Sequence, residues 1–275
     1  MDSLNIFGIS LPLLPLLIVS AMMLMSLVNR WQKNPVVGFS DAILHRLLLS
    51  LVAARLGFVT QHLPQYQGQW LQVVDIRDRG FDSYSLMLVF SLLLMQYAYQ
   101  QVAARRVLLL SLPVAMLWIG TSFTVYRIYH PMPTQWPSMT FQTLQGQQLR
   151  LSDRTTTLTR PATDTTGFTV VNLWASWCPP CRAEMPVLIQ AQQQYPQGRF
   201  ILLNQGETQQ QVEQFLQQQG LEFHAVWLDP QRTMGRWVGQ QALPLTLVFD
   251  QHGKLIDGHA GLLSSAMLAD KLQGL

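Results

Sequence analysis

The two cysteines of this 275-residue chain lie three apart, in Trp177-Cys178-Pro179-Pro180-Cys181, directly after the apolar run Phe168 to Trp174. A strand that feeds a helix through a Cys-x-x-Cys turn places both sulfurs at one helix end, the arrangement that thiol-disulfide exchange needs. Cys178 is expected at the first position of a helix running to about Tyr195. There, unpaired backbone N–H groups and the positive end of the helix dipole favour a thiolate over a thiol, and the thiolate is the nucleophile. Cys181, one turn further in, is shielded and placed to attack the mixed disulfide that Cys178 forms with a partner. Pro179 and Pro180 suit a helix start, because the first turn tolerates proline.

Two simpler roles fit the pair less well. A structural zinc needs two more nitrogen or sulfur ligands in a compact cluster. The chain has no further cysteine, and His45, His62, His130, His224, His252 and His259 are scattered singly. A purely structural bridge across two residues closes too small a loop to constrain the unfolded chain much. Neither a metal nor a bound cofactor is expected.

Composition adds a membrane. The chain is 49% hydrophobic and only 12% charged, with mean hydropathy +0.16 and pI about 9.0. That is too apolar for an ordinary soluble chain and points to membrane segments joined to a soluble part. The basic residues flank the apolar runs instead of forming a stripe, so nucleic acid is not expected as a partner. Ser3 to Asn29 carries no charge and is long enough, at 1.5 Å per helical residue, to cross a hydrocarbon core. Asp2 stands where a signal peptide would be basic, and no small-x-small cleavage site follows, so the segment is expected to be retained. Further apolar stretches run from about Asp41 to Leu63, Tyr84 to Ala104 and Val107 to Tyr129.

About four transmembrane helices are therefore expected within residues 1–130. Arg30 and Lys33 lie between the first and second, and Arg105 and Arg106 between the third and fourth. By the positive-inside rule both basic connections are cytoplasmic and both chain ends face outward, into the periplasm if the bilayer is a bacterial inner membrane. That is an oxidising compartment, where disulfides are made and managed. His45 and Arg46 lie near the cytoplasmic end of the second span and can snorkel, whereas Arg55 lies deeper, within reach of headgroups or of the loop holding Asp75, Asp78 and Asp82. Met22, Met23 and Met25 are read as apolar filler, not copper ligands.

Ala54-Arg55-Leu56-Gly57-Phe58, followed by a Trp-containing outer loop and another apolar span, resembles the amino-terminal half of prolipoprotein diacylglyceryl transferase over about residues 5–130. In that family the next span opens with a glycine-rich, histidine-containing stretch. Here Arg79-Gly80-Phe81-Asp82-Ser83-Tyr84 takes its place, without histidine and with one glycine, and the later spans are absent. The transferase activity is not carried over; the region reads as an anchor or docking surface.

Residues 131–137 are proline-dense and are expected to form an extended linker, with Trp136 resting at the membrane interface. Residues 138–275 carry the pattern of a small α/β domain. Strands are expected at Thr140–Leu144, Gln148–Leu151, Phe168–Trp174 and Phe200–Asn204, with a Thr-rich insertion from Asp153 to Gly167. Thr208 and Gln211 make a capping box for a helix ending at Gly220. The apolar run Leu243 to Phe249 turns at Gln251-His252-Gly253 into Lys254 to His259, a hairpin. A proline entering such a strand cannot donate to the ladder, so a cis peptide is expected at Leu243-Pro244, beside the cysteines. Glu184, three residues beyond Cys181 and on the same helix face, is placed to take up or return protons as the cysteines change state.

The string Asn172-Leu173-Trp174-Ala175-Ser176-Trp177-Cys178-Pro179-Pro180-Cys181-Arg182-Ala183-Glu184-Met185-Pro186 resembles the thioredoxin superfamily, and within it the membrane-anchored TlpA, ResA and DsbE-like thiol-disulfide oxidoreductases. Cytosolic thioredoxins bury an aspartate where this chain has Asn172. The resemblance implies a thioredoxin-like domain over residues 138–275, Pro244 as the cis-proline whose neighbourhood holds a partner's extended chain, and Glu184 as the acid near the site. Cys178, Cys181 and Glu184 are the expected catalytic residues; Trp177, Pro179, Pro180, Leu243 and Pro244 are expected to position substrate. The expected function is reduction of disulfides in client proteins, recharged by a membrane electron donor, since the membrane part has no cysteine of its own. Three alternatives stand beside it: a thiol oxidase or isomerase, a lipid- or lipoprotein-binding protein with an auxiliary redox domain, and a non-enzymatic scaffold.

Overall fold

The computed structural model of the chain describes residues 3–6, 9–68, 70–129, 133–153 and 167–273. Two compact units result, one of Asp2–Val74 and Gly80–Pro131, the other of Asp75–Arg79 and Met132–Leu275.

The first unit opens with an antiparallel hairpin, β1 (Ser3–Ile6) and β2 (Ile9–Pro12), followed by α1 (Leu13–Arg30). The uninterrupted span expected from Ser3 is thus cut back to an 18-residue helix. Pro15 falls in its first turn, where a missing N–H costs nothing. After α2 (Phe39–Gln61) come the short α3 (Leu63–Tyr66), α4 (Ser83–Gln100) and α5 (Val102–Tyr129). Of the four expected spans, α2 and α5 are long and apolar enough to cross a membrane. In α4 the apolar run is diluted by Tyr84, Gln96, Tyr99 and Gln100.

Helix α1 packs along α5 and α2 along α4, around buried Phe39, Ile43, Tyr97, Val107 and Leu108. Met25 is part of this cluster, as apolar filler. The arginines of α2 are turned inward to backbone oxygens. Arg46 donates to the carbonyls of Ala42 (2.8 Å) and Leu93 (3.2 Å), with its guanidinium 4.0 Å from the centre of the Tyr97 ring. Arg55, 6% exposed, donates to the carbonyls of Gln72 (2.8 Å), Val73 (2.8 Å) and Gly80 (2.9 Å). It reaches the loop between α3 and α4 through backbone oxygens, which tie that loop to the helix.

The second unit is built on a seven-stranded sheet. In chain order its elements are β3 (Thr140–Thr143), β4 (Gln148–Arg150), β5 (Phe168–Trp174), α6 (Pro179–Gln194), β6 (Gly198–Gln205), α7 (Gln209–Gln219), β7 (Val226–Asp229), α8 (Thr233–Trp237), β8 (Leu245–Asp250), β9 (Leu255–Ala260) and α9 (Ser265–Leu272). The strand order is β4-β3-β7-β6-β5-β8-β9. Strand β5 lies parallel to β6 and antiparallel to β8, and all seven of its residues are buried. A strand covered on both faces reads as a continuous apolar run, as Phe168 to Trp174 does. Its alternation sends Val171 and Leu173 to one core layer with Ile201, Leu203 and Leu247, and Trp174 to the other with Met185 and Leu202. The Thr-rich stretch expected as an insertion falls largely outside the described residues.

The end of the proline-dense stretch lies along this sheet. Trp136 N donates to Gly253 O (2.8 Å), Leu255 N donates to Thr134 O (3.0 Å), and Gln135 bridges Lys254. Trp136 packs against the core of this unit instead of standing free in a linker: its indole lies 6.0 Å from the Phe249 ring. Gly253, at φ 81°, makes room for it, since a Cβ there would run into the indole. Gly253→Ala is expected to destabilise this unit by at least ~1 kcal/mol, from the positive φ and the displaced ring together. A lowered melting temperature of the detergent-solubilised chain, followed by tryptophan fluorescence, checks it.

Candidate active site

The site forms where β5 ends. Ala175 to Trp177 make the turn, and Cys178 becomes the N-cap of α6, with Pro179 and Pro180 as the first helical residues. Cys178 and Cys181 are joined in a disulfide. The backbone N–H of Cys181 donates to Cys178 Sγ at 3.3 Å, so the cap acceptor is the sulfur itself. Both cysteines are deeply set, Cys178 3% and Cys181 1% exposed, within the layer that holds Trp174, Met185 and Leu202. The expected difference in shielding is therefore small. What stands in solvent is the rim: Trp177, 57% exposed, with Pro179 and Pro180.

The Leu243–Pro244 peptide is cis. It precedes β8, whose Leu245 pairs with Leu173 near the end of β5, and Leu243 packs against the layer containing both cysteines. Fold topology thus brings together, from positions some sixty residues apart, the Trp177-to-Cys181 turn and the Leu243-Pro244 loop.

Glu184 lies one helical turn beyond Cys181 and is fully buried. Its Oε1 accepts from Asn172 Nδ2 (2.7 Å) and its Oε2 from the backbone N–H of Leu263 (2.8 Å). Asn172 Nδ2 also reaches Thr246 Oγ1 at 3.0 Å. Burial pushes the carboxyl up from 4.5 to about 8, against the two donors, which pull it down. At neutral pH it is mostly protonated. Across the sheet from Thr246, His259 is held down at about 4 chiefly by burial, and its Nε2 lies 3.0 Å from Leu262 O. It is a neutral donor at neutral pH and offers no charge to the cysteines.

A second carboxylate supports the turn. Glu207, buried just past the end of β6, accepts from Ser176 N (2.7 Å) and Asn204 Nδ2 (2.6 Å) through Oε2, and from the Ser176 hydroxyl through Oε1. The residue two before Cys178 is thereby tied to the neighbouring strand. Sequence reasoning passes over Glu207; its signal is the polar cluster Asn204-Gln205-Gly206-Glu207 at the carboxyl end of a buried strand parallel to β5, where α/β sheets place their sites.

Comparison with known proteins matches the Redoxin family profile to residues 136–268. The DsbE homologue of Paracoccus denitrificans, a thiol:disulfide interchange protein, is 37% identical over 97 residues, 35% of this chain and 52% of that protein. HelX of Rhodobacter capsulatus, also a thiol:disulfide interchange protein, is 36% identical over 107 residues, 38% and 59% respectively. The thiol-disulfide oxidoreductase ResA of Geobacillus kaustophilus is 31% identical over 160 residues, 57% of this chain and 85% of that protein. The chain spans little more than half the length of the first two.

Two outcomes follow from the carboxyls. A group whose folded value lies above its unfolded one holds its proton in the folded state only, between 4.5 and about 8. Stability is then greatest below that window and falls as pH rises through it, by up to ~1.4 kcal/mol per pH unit. Glu184→Gln removes this slope, so the variant gains on the oxidised wild type between pH 5 and pH 8, read from paired melting curves. Glu207→Ala leaves the buried Asn204 amide without its acceptor and is expected to cost ~1–3 kcal/mol, and to slow thiol release from the cysteine pair in a stopped-flow assay.

Proposed function

Because the chain belongs to the ResA-type thiol-disulfide oxidoreductases, with a thioredoxin-like α/β domain in its C-terminal part, we propose that it is a membrane-anchored enzyme that reduces disulfides in client proteins on the periplasmic side of a bacterial inner membrane. The observation that carries this reading is the Cys178–Cys181 disulfide at the N-cap of α6, beside the Leu243–Pro244 loop. In the reduced state the backbone N–H of Cys181 and the helix dipole stabilise a Cys178 thiolate. That thiolate attacks one sulfur of a client disulfide, and the other client sulfur leaves as a thiolate. Cys181 then attacks Cys178 Sγ, closing the pair and releasing the second client thiol. Two electrons pass from the pair to the client; of the two protons that the client thiols take up, one comes from Cys181 and the other from the solvent that received it when Cys178 ionised. Glu184 relays a proton to and from Cys181, while Trp177, Pro179, Pro180, Leu243 and Pro244 seat the client chain.

The chain has no cysteine outside the pair, so a dithiol-bearing membrane donor recharges it. Residues 1–130 serve as the anchor, residues 131–137 as linker and residues 138–275 as the catalytic domain. Helices α2 and α5 span the bilayer, joined by α1 and α4 for four crossings, and Arg30, Lys33, Arg105 and Arg106 keep their connections cytoplasmic. Exposed Leu48, Leu49, Val52, Leu109, Leu110 and Met116 on the two spans supply an apolar surface suited to lipid.

The direction of transfer is tested by equilibrating the full-length chain in detergent with glutathione or dithiothreitol buffers. A reduction potential near or below ~−270 mV is expected, and one near ~−120 mV would make the protein an oxidase instead. Cys181→Ser is expected to accumulate a mixed disulfide through Cys178, visible on non-reducing gels, and Cys178→Ser to form none.

A further inference from the structure

Arg232 breaks the local rules for its position. It is the N-cap of α8 at φ 54° and ψ 40°, a conformation that residues other than glycine rarely adopt. Its side chain caps nothing, because the first N–H groups of α8, on Thr233 and Met234, donate to Asp229. The side chain instead runs past Gly206, φ 87°, where an added Cβ would meet Arg232 Nε at 2.7 Å. Its guanidinium carbon lies 5.8 Å from the centre of the Trp177 ring. A left-handed backbone, a glycine that leaves room and an indole face together hold one cation next to the residue that precedes Cys178.

That cation is not spent on a carboxylate: among the described residues none forms an ion pair with Arg232. Glu207, beside Gly206 in the chain, is buried and occupied by Ser176 and Asn204, and Asp229 is occupied by Gln205, Thr233 and Met234. Glu184 is buried. Two further arginines stand exposed near the cysteines or near Arg232 in the chain. Arg182 follows Cys181 and lies over Phe215 at 5.7 Å, and Arg236 is one turn beyond Arg232 and donates to Gln231 O.

We propose that Arg232, lying over Trp177, selects the client: the segment entering beside Leu243-Pro244 carries a carboxylate next to the cysteine that Cys178 attacks. The proposal rests on the disulfide-reducing reading above and adds the substrate class, an acidic extended peptide. The chemistry is unchanged, the dithiol giving two electrons to the client disulfide; Arg232 lowers the free energy of the encounter complex by pairing with the client carboxylate while the client backbone lies against the rim.

The test uses the full-length protein in detergent, reduced and freed of reductant, and three peptides that each hold one disulfide and differ only in Asp, Gln or Lys on both sides of the attacked cysteine. Second-order rates are divided by the rates of the same peptides with dithiothreitol, which removes their intrinsic reactivity. At low ionic strength the corrected Asp-to-Lys ratio is expected to be about tenfold, to fall towards one in about 0.5 M salt, to collapse in Arg232→Gln and to survive in part in Arg232→Lys. A wild-type ratio within twofold of one overturns the proposal without reference to any variant. So does a ratio that Arg232→Gln leaves intact while all three rates change by a common factor, because Arg232 would then act on the Cys178 thiolate and not on the client. Exchange with none of the peptides, nor with glutathione disulfide, would reject the oxidoreductase reading itself.

Discussion

A carboxyl group without water joins the parts that matter. Glu184 takes one hydrogen bond from Asn172 on β5 and another from Leu263, just before α9, while standing on α6 itself. Asn172 in turn reaches Thr246 on β8. Two strands, one helix and the loop before α9 are thus connected around one side chain that is too deeply buried to ionise readily. Replacing a donor in such a network leaves a buried polar atom unpaired, which costs more than the bond contributes when intact. The aspartate that cytosolic thioredoxins bury where this chain has Asn172 would set two carboxyls within hydrogen-bonding distance. An asparagine there donates instead, and the pair is compatible.

Much of this was legible in the residues. The buried run Phe168 to Trp174 is β5 to the residue, because a strand covered on both faces leaves no polar alternation to blur its ends. The Thr208–Gln211 capping box is present with both of its hydrogen bonds, and α7 ends at Gly220 as expected, since such signals are local. What was not legible depends on distant partners. Strand β7 is four residues long, too short to show a period, and exists because β6 and β3 pair with it. Glu207 and Arg232 carry no motif; their roles come from Ser176 and Trp177, which the fold brings to them. Trp136 was misplaced for the same reason, an indole beside prolines being equally at home in a headgroup layer or against Gly253.

The helical half shows the other limit of sequence reading. Hydropathy counts residues and cannot see that Arg46 and Arg55 are turned to backbone oxygens, so charged positions that weaken α2 as a span on paper are satisfied within its own unit. The first segment fails in the opposite sense: its composition is that of a span, yet the backbone pairs as a hairpin through Ser3–Ile6 and Ile9–Pro12 before the helix begins. Length of apolar sequence limits what can cross a bilayer but does not decide the conformation of each part of it.

Two side chains, Glu184 inside and Arg232 at the rim, divide the work of the proposed cycle. An ionised carboxylate held at Glu184 would repel a thiolate one turn away, and burial prevents this at rest by raising the carboxyl to about 8. A carboxyl held near neutrality is suited to taking up and returning a proton, the role that the proposed cycle gives Glu184. Had the two donors prevailed over burial, the carboxyl would be a strong acid and could not return the proton. Outside, Arg232 lies over Trp177 from its αL backbone position, where the proposed cycle has it meet the client. The proposed cycle thus places proton handling in the interior, where burial raises a carboxyl, and client selection at the exposed rim.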